Sequence, residues 1–262
     1  MKTIDKIIED LELKDIKRIA EQTGGNVIIT QPLGNSKIEF EYNINGKLLS
    51  KTKIKNNGKI EFKYVYKCDN DSTEYFTTYV VEHRHDNVAI PTIITTCYDD
   101  INQYTVSYRE FDDSEEASNL KNKTFYSYKK INDIYVLTSI DIFDYEGIDT
   151  TNVPAERLVQ LTNTSINNMK NGTCTISLDY AHRDNEKSHV TININKDGLI
   201  RSLCFESNSI SKTTIKYDKD GFLSSVKQSF VTHLGWKYDT NTIYDYKNMT
   251  KTIKRTTAKK NK

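Results

Sequence analysis

The sequence has few prolines, no marked excess of either charge and no long apolar run. With 3 Pro among 262 residues, long disordered linkers are not expected. The 37 basic and 36 acidic residues nearly cancel, whereas proteins that coat nucleic acid carry a basic excess. No segment approaches the roughly 18 consecutive apolar residues of a membrane-spanning helix. These absences argue against a nucleic-acid-binding protein and against membrane insertion.

The N-terminal segment and the cysteines bear on the cellular setting. Residues 1–18 read MKTIDKIIEDLELKDIKR, with acidic side chains throughout and without the apolar core of a signal peptide. We therefore expect a cytoplasmic or virion-associated protein. The 4 Cys lie far apart and form no CxxC pair, so we predict free thiols rather than a zinc ribbon or a redox motif.

Two segments have the periodicity of helices. Apolar side chains recur at three- and four-residue spacing over residues 3–22, and Gly24 and Gly25 follow as a stop signal. The second predicted helix covers residues 154–170, beginning at Pro154, which suits a first helical position, and closing at Gly172. Its TNTS stretch, residues 162–165, consists of poor helix formers.

Most of the remaining chain alternates apolar or aromatic residues with polar ones. This period of two predicts strands with one buried face and suits an antiparallel sheet with one wet side. The predicted strands are residues 38–44, 59–67, 104–111, 124–130, 134–143, 189–194 and 213–217.

Short turn sequences separate the strands. Each is five residues long and begins with an apolar or aromatic residue. The second residue is usually Asp, Asn or Lys, and the fifth is Gly or Asn. Gly adopts positive φ freely and Asn tolerates it, as a type I turn followed by a bulge requires. These sequences predict a meander of hairpins, with turns at residues 42–46, 54–58, 98–102, 143–147, 194–198, 217–221 and 244–248.

A longer similarity links two parts of the chain. Residues 36–51 align without a gap on residues 188–203, and a predicted helix precedes each of these hairpins. We therefore predict an α+β fold, a mostly antiparallel β-meander with two helices packed on the sheet. A tandem duplication of a helix-plus-meander unit would divide the chain into residues 1–150 and 151–262.

One turn resembles the repeat of a known family. Tyr217-Asp218-x-x-Gly221-x-Leu223 is similar to the YD repeat of RHS-type proteins, and residues 42–48 and 194–200 are looser copies. The resemblance implies successive β-hairpins, which in that family build shells or surface filaments. The matching segments are irregularly spaced and cover about a fifth of the chain, and no functional residue carries over.

Two histidines form the one candidate metal pair. His83 and His85 share a strand face, and Asp99 or Asp100 could complete a site across the sheet. The alternative is a pair of solvent-facing histidines at a strand end, which we favour because no third ligand is specified. We predict no catalytic residues, no cofactor site and no metal site, since nucleotide-binding loops and nucleophile motifs are absent.

Three further clusters allow two interpretations each. The acidic residues of 111–119 indicate a solvated loop rather than a cation site. The basic residues of 251–262 indicate a solvated terminus or, alternatively, a weak polyanion contact. Ten aromatic residues indicate cross-strand core packing or, alternatively, an exposed binding platform: Tyr64, Tyr66, Tyr75, Phe76, Tyr79, Tyr104, Tyr108, Phe125, Tyr126 and Tyr128.

These features favour a non-catalytic structural or protein-interaction protein, such as a component of a phage particle or of another bacterial assembly. We expect a protein partner or self-association. The first alternative is a small-molecule or lipid carrier with an apolar cavity between a curved sheet and a helix. The second is an inhibitor or immunity-type protein that blocks its partner with a sheet face.

Overall fold

The computed structural model describes most of the backbone between residues 2 and 259. It leaves out residues 47, 66, 69–73, 86–87, 100–102, 112–119, 145–155 and 170. Side chains are described in residues 3–63, 127–142 and 156–258, apart from 47 and 170.

The described residues form one helix and a series of strands. The helix α1 is Lys2–Thr23, and the strands are β1 Val27–Leu33, β2 Ser36–Tyr42, β3 Leu48–Lys55, β4 Ile60–Val65, β5 Lys67–Cys68, β6 Glu74–His85, β7 Val88–Asp99, β8 Gln103–Phe111, β9 Leu120–Ile131, β10 Ile134–Asp144, β11 Glu156–Asn168, β12 Cys174–His182, β13 Lys187–Ile194, β14 Ile200–Glu206, β15 Ile210–Tyr217, β16 Leu223–Val231, β17 Trp236–Asp245 and β18 Thr250–Lys259.

Most of the strands belong to one 15-stranded sheet. Strands β8 to β18 follow one another in chain order, and β1 to β4 extend the sheet beyond β18. All neighbours pair antiparallel except β1 and β18, which are parallel. β5, β6 and β7 form a separate three-stranded sheet. The predicted antiparallel meander is therefore confirmed.

The helix α1 confirms the first predicted helix. Its apolar stripe buries Ile4, Ile7, Ile16 and Ile19 against the sheet, as three- and four-residue spacing predicts. The helix ends at Gly24, whose φ is +70° and whose N–H donates to the carbonyl oxygen of Ala20 at 2.9 Å.

The second predicted helix is wrong, because residues 156–168 form the strand β11. Leu158, Val159 and Leu161 gave this segment some helical periodicity, but residues 162–168 are all exposed and do not continue a buried helical stripe. Pairing with β10 and β12 satisfies its backbone, and this long-range pairing decides against a helix. A bulge between Leu161 and Asn163 shifts the register.

The predicted fold class is therefore corrected: the described residues contain a single helix on a large sheet, not two helices. A tandem helix-plus-meander unit is excluded with the second helix, although both aligned segments do form hairpins, β2–β3 and β13–β14. The boundary predicted near residue 150 lies outside the described residues, and the division into two halves stays a prediction.

The four predicted turns that end in a described glycine are confirmed. Gly46, Gly58, Gly198 and Gly221 have φ values between +76° and +80°. In the turn at 244–248 the positive φ falls one residue later, at Met249. Residues 100–102 and 145–147, which complete the other two predicted turns, lie outside the described residues.

The Gly221 turn shows why the sequence takes this form. The N–H groups of Asp220 and Phe222 both donate to the Asp218 carboxylate at 2.9 Å, and the Gly221 N–H donates to the Asp218 carbonyl oxygen at 3.2 Å. The register of β15 and β16 shifts next to the turn: Lys216 pairs with Ser225, whereas Tyr217 pairs with Leu223. The aspartate begins the turn, and the glycine supplies the left-handed residue that ends it.

Replacing Gly221 by Val is expected to lower the free energy of unfolding by about 1–2 kcal/mol, because a β-branched residue adopts positive φ poorly. A Cβ at this position meets nothing within 4 Å, so the cost is conformational rather than steric. Lys219→Ala, in the same turn, is expected to change stability by less than about 0.5 kcal/mol. Denaturant unfolding of both variants tests this, and equal losses would contradict it.

The helix lies across the sheet and covers two groups of core residues. Its N-terminal half packs with β9, β10 and β12–β16, around Ile4 and Ile7. Its C-terminal half packs with β1 and β2, around Ile16 and Ile19. A helix of 22 residues is about 33 Å long. It therefore bridges the junction between β18 and β1 from one side to the other.

Candidate binding surface

A polar cluster holds the middle of α1 to the sheet. The Lys251 Nζ donates to Glu12 Oε1 at 2.7 Å, and both side chains are largely buried. The Tyr244 hydroxyl donates to Glu12 Oε2 at 3.4 Å. One helix carboxylate therefore joins the ends of β17 and β18 to α1.

Asp15 makes the second connection. Its Oδ2 accepts the main-chain N–H of Leu223 at 2.7 Å, at the start of β16. Burial raises the pKa of the Asp15 carboxyl above its ordinary value, although the Leu223 N–H and Arg18 oppose this. Arg18 itself stacks on Phe222, with the guanidinium carbon 3.9 Å from the ring centroid.

Two stacked tyrosines complete the cluster. The ring centroids of Tyr244 and Tyr246 are 5.8 Å apart. Burial raises the pKa of both hydroxyls, and the nearby Glu12 and Asp15 carboxylates add to the effect. These phenols remain protonated near neutral pH. The cluster places acidic and phenolic groups inside the protein, where they fix the helix to the sheet.

The other end of this face of β17 is exposed. Trp236 and Tyr238 lie on the same side of β17 as Tyr244, because alternate residues of a strand share a face. Tyr238 is about 20 Å from Tyr244 along the strand, beyond the part that α1 covers. Tyr238 is 43% exposed and Trp236 is 38% exposed.

Neighbouring residues extend this exposed area. Phe230 on β16 pairs with Tyr238, and their ring centroids are 6.2 Å apart. Leu234, in the turn between these strands, is 69% exposed. We call the four residues Phe230, Leu234, Trp236 and Tyr238 the aromatic strip. It places three aromatic rings and a leucine on one hairpin.

The strand β18 places Arg255 on the face of the aromatic strip and Lys254 on the opposite face. Thr257 pairs with Tyr238, and Arg255 pairs with Thr240 on the same face. Lys254 and Arg255 are exposed, and neither has an ion-pair partner among the residues whose side chains are described. An apolar area bordered by an unpaired positive charge, here that of Arg255, is typical of a surface that recognises a partner.

The residues that the sequence singled out are placed elsewhere. His83 and His85 lie on β6, opposite Ile90 and Val88, and their side chains are outside the described residues. Asp99 pairs with Glu74, about 30 Å along the hairpin from His83, so this pairing does not bring Asp99 to the histidines. Asp100 is outside the described residues.

The other predicted clusters are only partly described. Residues 112–119 of the acidic segment lie outside the described residues. In the group of ten aromatic residues, Tyr128 has a described side chain; it is 4% exposed and belongs to the core. Within the described residues, no group of three or more His, Cys, Asp or Glu side chains could hold a metal ion.

The periodicity of the sequence does not distinguish the aromatic strip from a buried strand face. The signal of the aromatic strip was the HLGWKY segment, residues 233–238, which carries the single Trp of the chain directly after a turn glycine. The alternation of Trp236 and Tyr238 predicts a strand face but not whether that face is covered. Exposure depends on where α1 lies, which is a long-range property.

Comparisons with known proteins do not place the chain in a family. No family model matches it, and no curated protein matches it significantly. The resemblance to YD repeats therefore stays a prediction. Within the described residues, no helix combines the length and the apolar character that a membrane crossing requires.

Proposed function

We propose that this chain is a non-catalytic interaction protein that binds a protein partner through the aromatic strip. The observation that carries the proposal is the exposure of Leu234, Trp236 and Tyr238 on one hairpin. Trp and Tyr are enriched at the centres of protein interfaces, where they lose much solvent-exposed area for little conformational entropy. A structural component of a bacterial or phage assembly would use such a surface.

The packing of α1 bears on the carrier alternative. A carrier needs space between helix and sheet, but Ile4, Ile7 and Ile16 are fully buried there against sheet side chains. An apolar ligand would have to displace these residues. The inhibitor alternative uses the same aromatic strip and differs only in what binding does to the partner.

Tyr238→Ser is expected to weaken partner binding at least tenfold, since truncating a central aromatic residue at an interface costs about 2 kcal/mol. Ile28→Ser is the matched control, because Ile28 is 48% exposed and lies on a different strand, β1. The partner is first identified by a photo-crosslinking residue placed at 236 and compared with one at 28.

The measurement is the dissociation constant of the identified partner for wild type, Tyr238→Ser and Ile28→Ser. If the partner is a second copy, sedimentation equilibrium supplies the same comparison. Equal binding by wild type and Tyr238→Ser, or crosslinks that form equally at 28 and 236, would disprove the role of the aromatic strip.

A further inference from the structure

The strand β18 has one edge that is paired throughout and one that is almost open. Its inner edge pairs with β17 from Thr250 to Lys259. On its outer edge, β1 contributes one pair, Thr30 with Thr250. Beyond this pair, no strand in the described part of the chain continues the ladder along β18.

The direction of the main-chain groups follows from this one pair. The Thr30 N–H donates to the Met249 carbonyl oxygen at 2.8 Å, so that carbonyl points towards β1. Main-chain groups alternate between the two edges of a strand. The N–H and C=O groups of Ile253, Arg255 and Thr257 therefore point to the open edge.

Proline explains why the parallel ladder stops. In a parallel pair, every second residue of β1 forms main-chain hydrogen bonds with β18. After Thr30, the next residue of β1 in position to do so is Pro32. Pro32 has no N–H to donate, and it therefore ends the ladder after the first pair. On its other side β1 still pairs with β2 through Leu33. The sheet consequently opens between β1 and β18 from about Ile253 onward.

We propose that the open edge of β18 is a strand-addition site for an extended acidic segment of a partner protein; this inference rests on the proposed interaction function. An open edge offers main-chain donors and acceptors in the spacing of a new strand. From Ile253 to Lys259 it is about 23 Å long, enough for a segment of roughly seven residues.

Charge identifies the segment. Lys254 and Arg255 are exposed on opposite faces of β18 and have no ion-pair partner among the described side chains. Acidic residues at successive positions of an added strand would lie beside both Lys254 and Arg255. A second copy of β18 does not fit, because its own Lys254 and Arg255 would face like charges. The aromatic strip lies next to β18, on β17 and β16, and can contact the same partner.

The first test uses a synthetic peptide and amide NMR. The peptide is ten residues long, carries Glu at pairs of successive positions separated by Val and Thr, and is blocked at both ends. Its addition is expected to shift amide signals of residues 251–259. N-methylation of this peptide at alternate residues, along the edge that would pair with β18, is expected to lower its affinity at least tenfold. A peptide with Lys in place of every Glu is expected to lose at least as much affinity. Absence of binding, or equal binding by the N-methylated peptide, would overturn the proposal.

The second test changes the edge itself. Thr257→Pro removes an N–H that faces the open edge and keeps the bonds of Thr256 and Ala258 to β17. It is expected to weaken peptide binding at least tenfold, whereas Thr257→Ala keeps the N–H and is expected to bind as wild type does. Thermal unfolding verifies that both variants fold. If Thr257→Pro does not fold, the N-methylated peptide tests strand addition on the wild-type protein instead.

The identified partner distinguishes this inference from the proposed function. If Tyr238→Ser weakens partner binding and Thr257→Pro does not, the aromatic strip binds the partner and strand addition is wrong. If both variants weaken binding and Thr257→Ala does not, strand addition is supported. If neither variant has an effect, both proposals fail.

Discussion

Replacing Ile16 by Ala is expected to lower the free energy of unfolding by about 2–5 kcal/mol, the range for truncating a fully buried aliphatic side chain. Ile16 is 0% exposed and belongs to the core group around Val27, Ile29 and Tyr42. The loss combines the transfer of buried methyl groups with a cavity that the rigid sheet closes incompletely. Denaturant unfolding followed by circular dichroism measures it.

Glu21→Ala is the matched control, since it also introduces Ala into α1 but at an exposed position. It is expected to change stability by less than about 0.5 kcal/mol. Hydrogen exchange adds a second readout: if α1 ties the two parts of the sheet together, Ile16→Ala lowers protection in β12–β16 as well as in β1 and β2. An effect confined to β1 and β2 would contradict this role of the helix.

Asp15→Ala is expected to cost about 1–3 kcal/mol, because it leaves the Leu223 N–H buried without an acceptor. The present bond is 2.7 Å long and joins α1 to the start of β16. Asp15→Asn keeps an oxygen at this place and removes the buried charge. We therefore expect Asn to be tolerated where Ala is not, and unfolding at pH 7 compares the two variants.

The raised pKa of Asp15 also predicts a pH dependence. The folded protein holds this proton more tightly than the unfolded chain, whose carboxyl has a pKa of about 3.8. The contribution of Asp15 to stability is therefore complete below that value and is lost as pH rises through the higher folded pKa. The stability of Asp15→Asn relative to wild type should increase from pH 4 to pH 7; a constant difference would contradict the prediction.

The sequence was sufficient for the parts of the fold that local chemistry determines. The stripe of Ile4, Ile7, Ile16 and Ile19 specified α1, and the turn glycines specified the hairpins. For β11 the local signal was ambiguous: Leu158 and Leu161 have the spacing of a helix face, Val159 and Leu161 have the spacing of a strand face, and the TNTS stretch favours neither strongly. Pairing with β10 and β12, which no local window contains, decided for the strand.

The candidate site depended on long-range placement to a greater extent. Tyr238 and Trp236 are exposed because α1 covers the other end of β17, and the sequence does not show where a helix will lie. Pro32 can be read directly from the sequence, but it ends a parallel ladder only because β1 lies beside β18. The candidate pair of His83 and His85 had a recognisable spacing, but its side chains lie outside the described residues. Residue type was thus a weaker guide to this surface than sheet topology.

The junction between β1 and β18 also determines the order in which the protein can fold during synthesis. Glu12 leaves the ribosome early, but its partner Lys251 lies 239 residues later in the chain. Until then, the apolar stripe of α1 lacks the last strands that cover it, and β1 lacks its neighbour. Such long-range contacts slow folding and prolong the exposure of apolar surface. The chain is therefore most prone to aggregate in the interval before β18 has been synthesised.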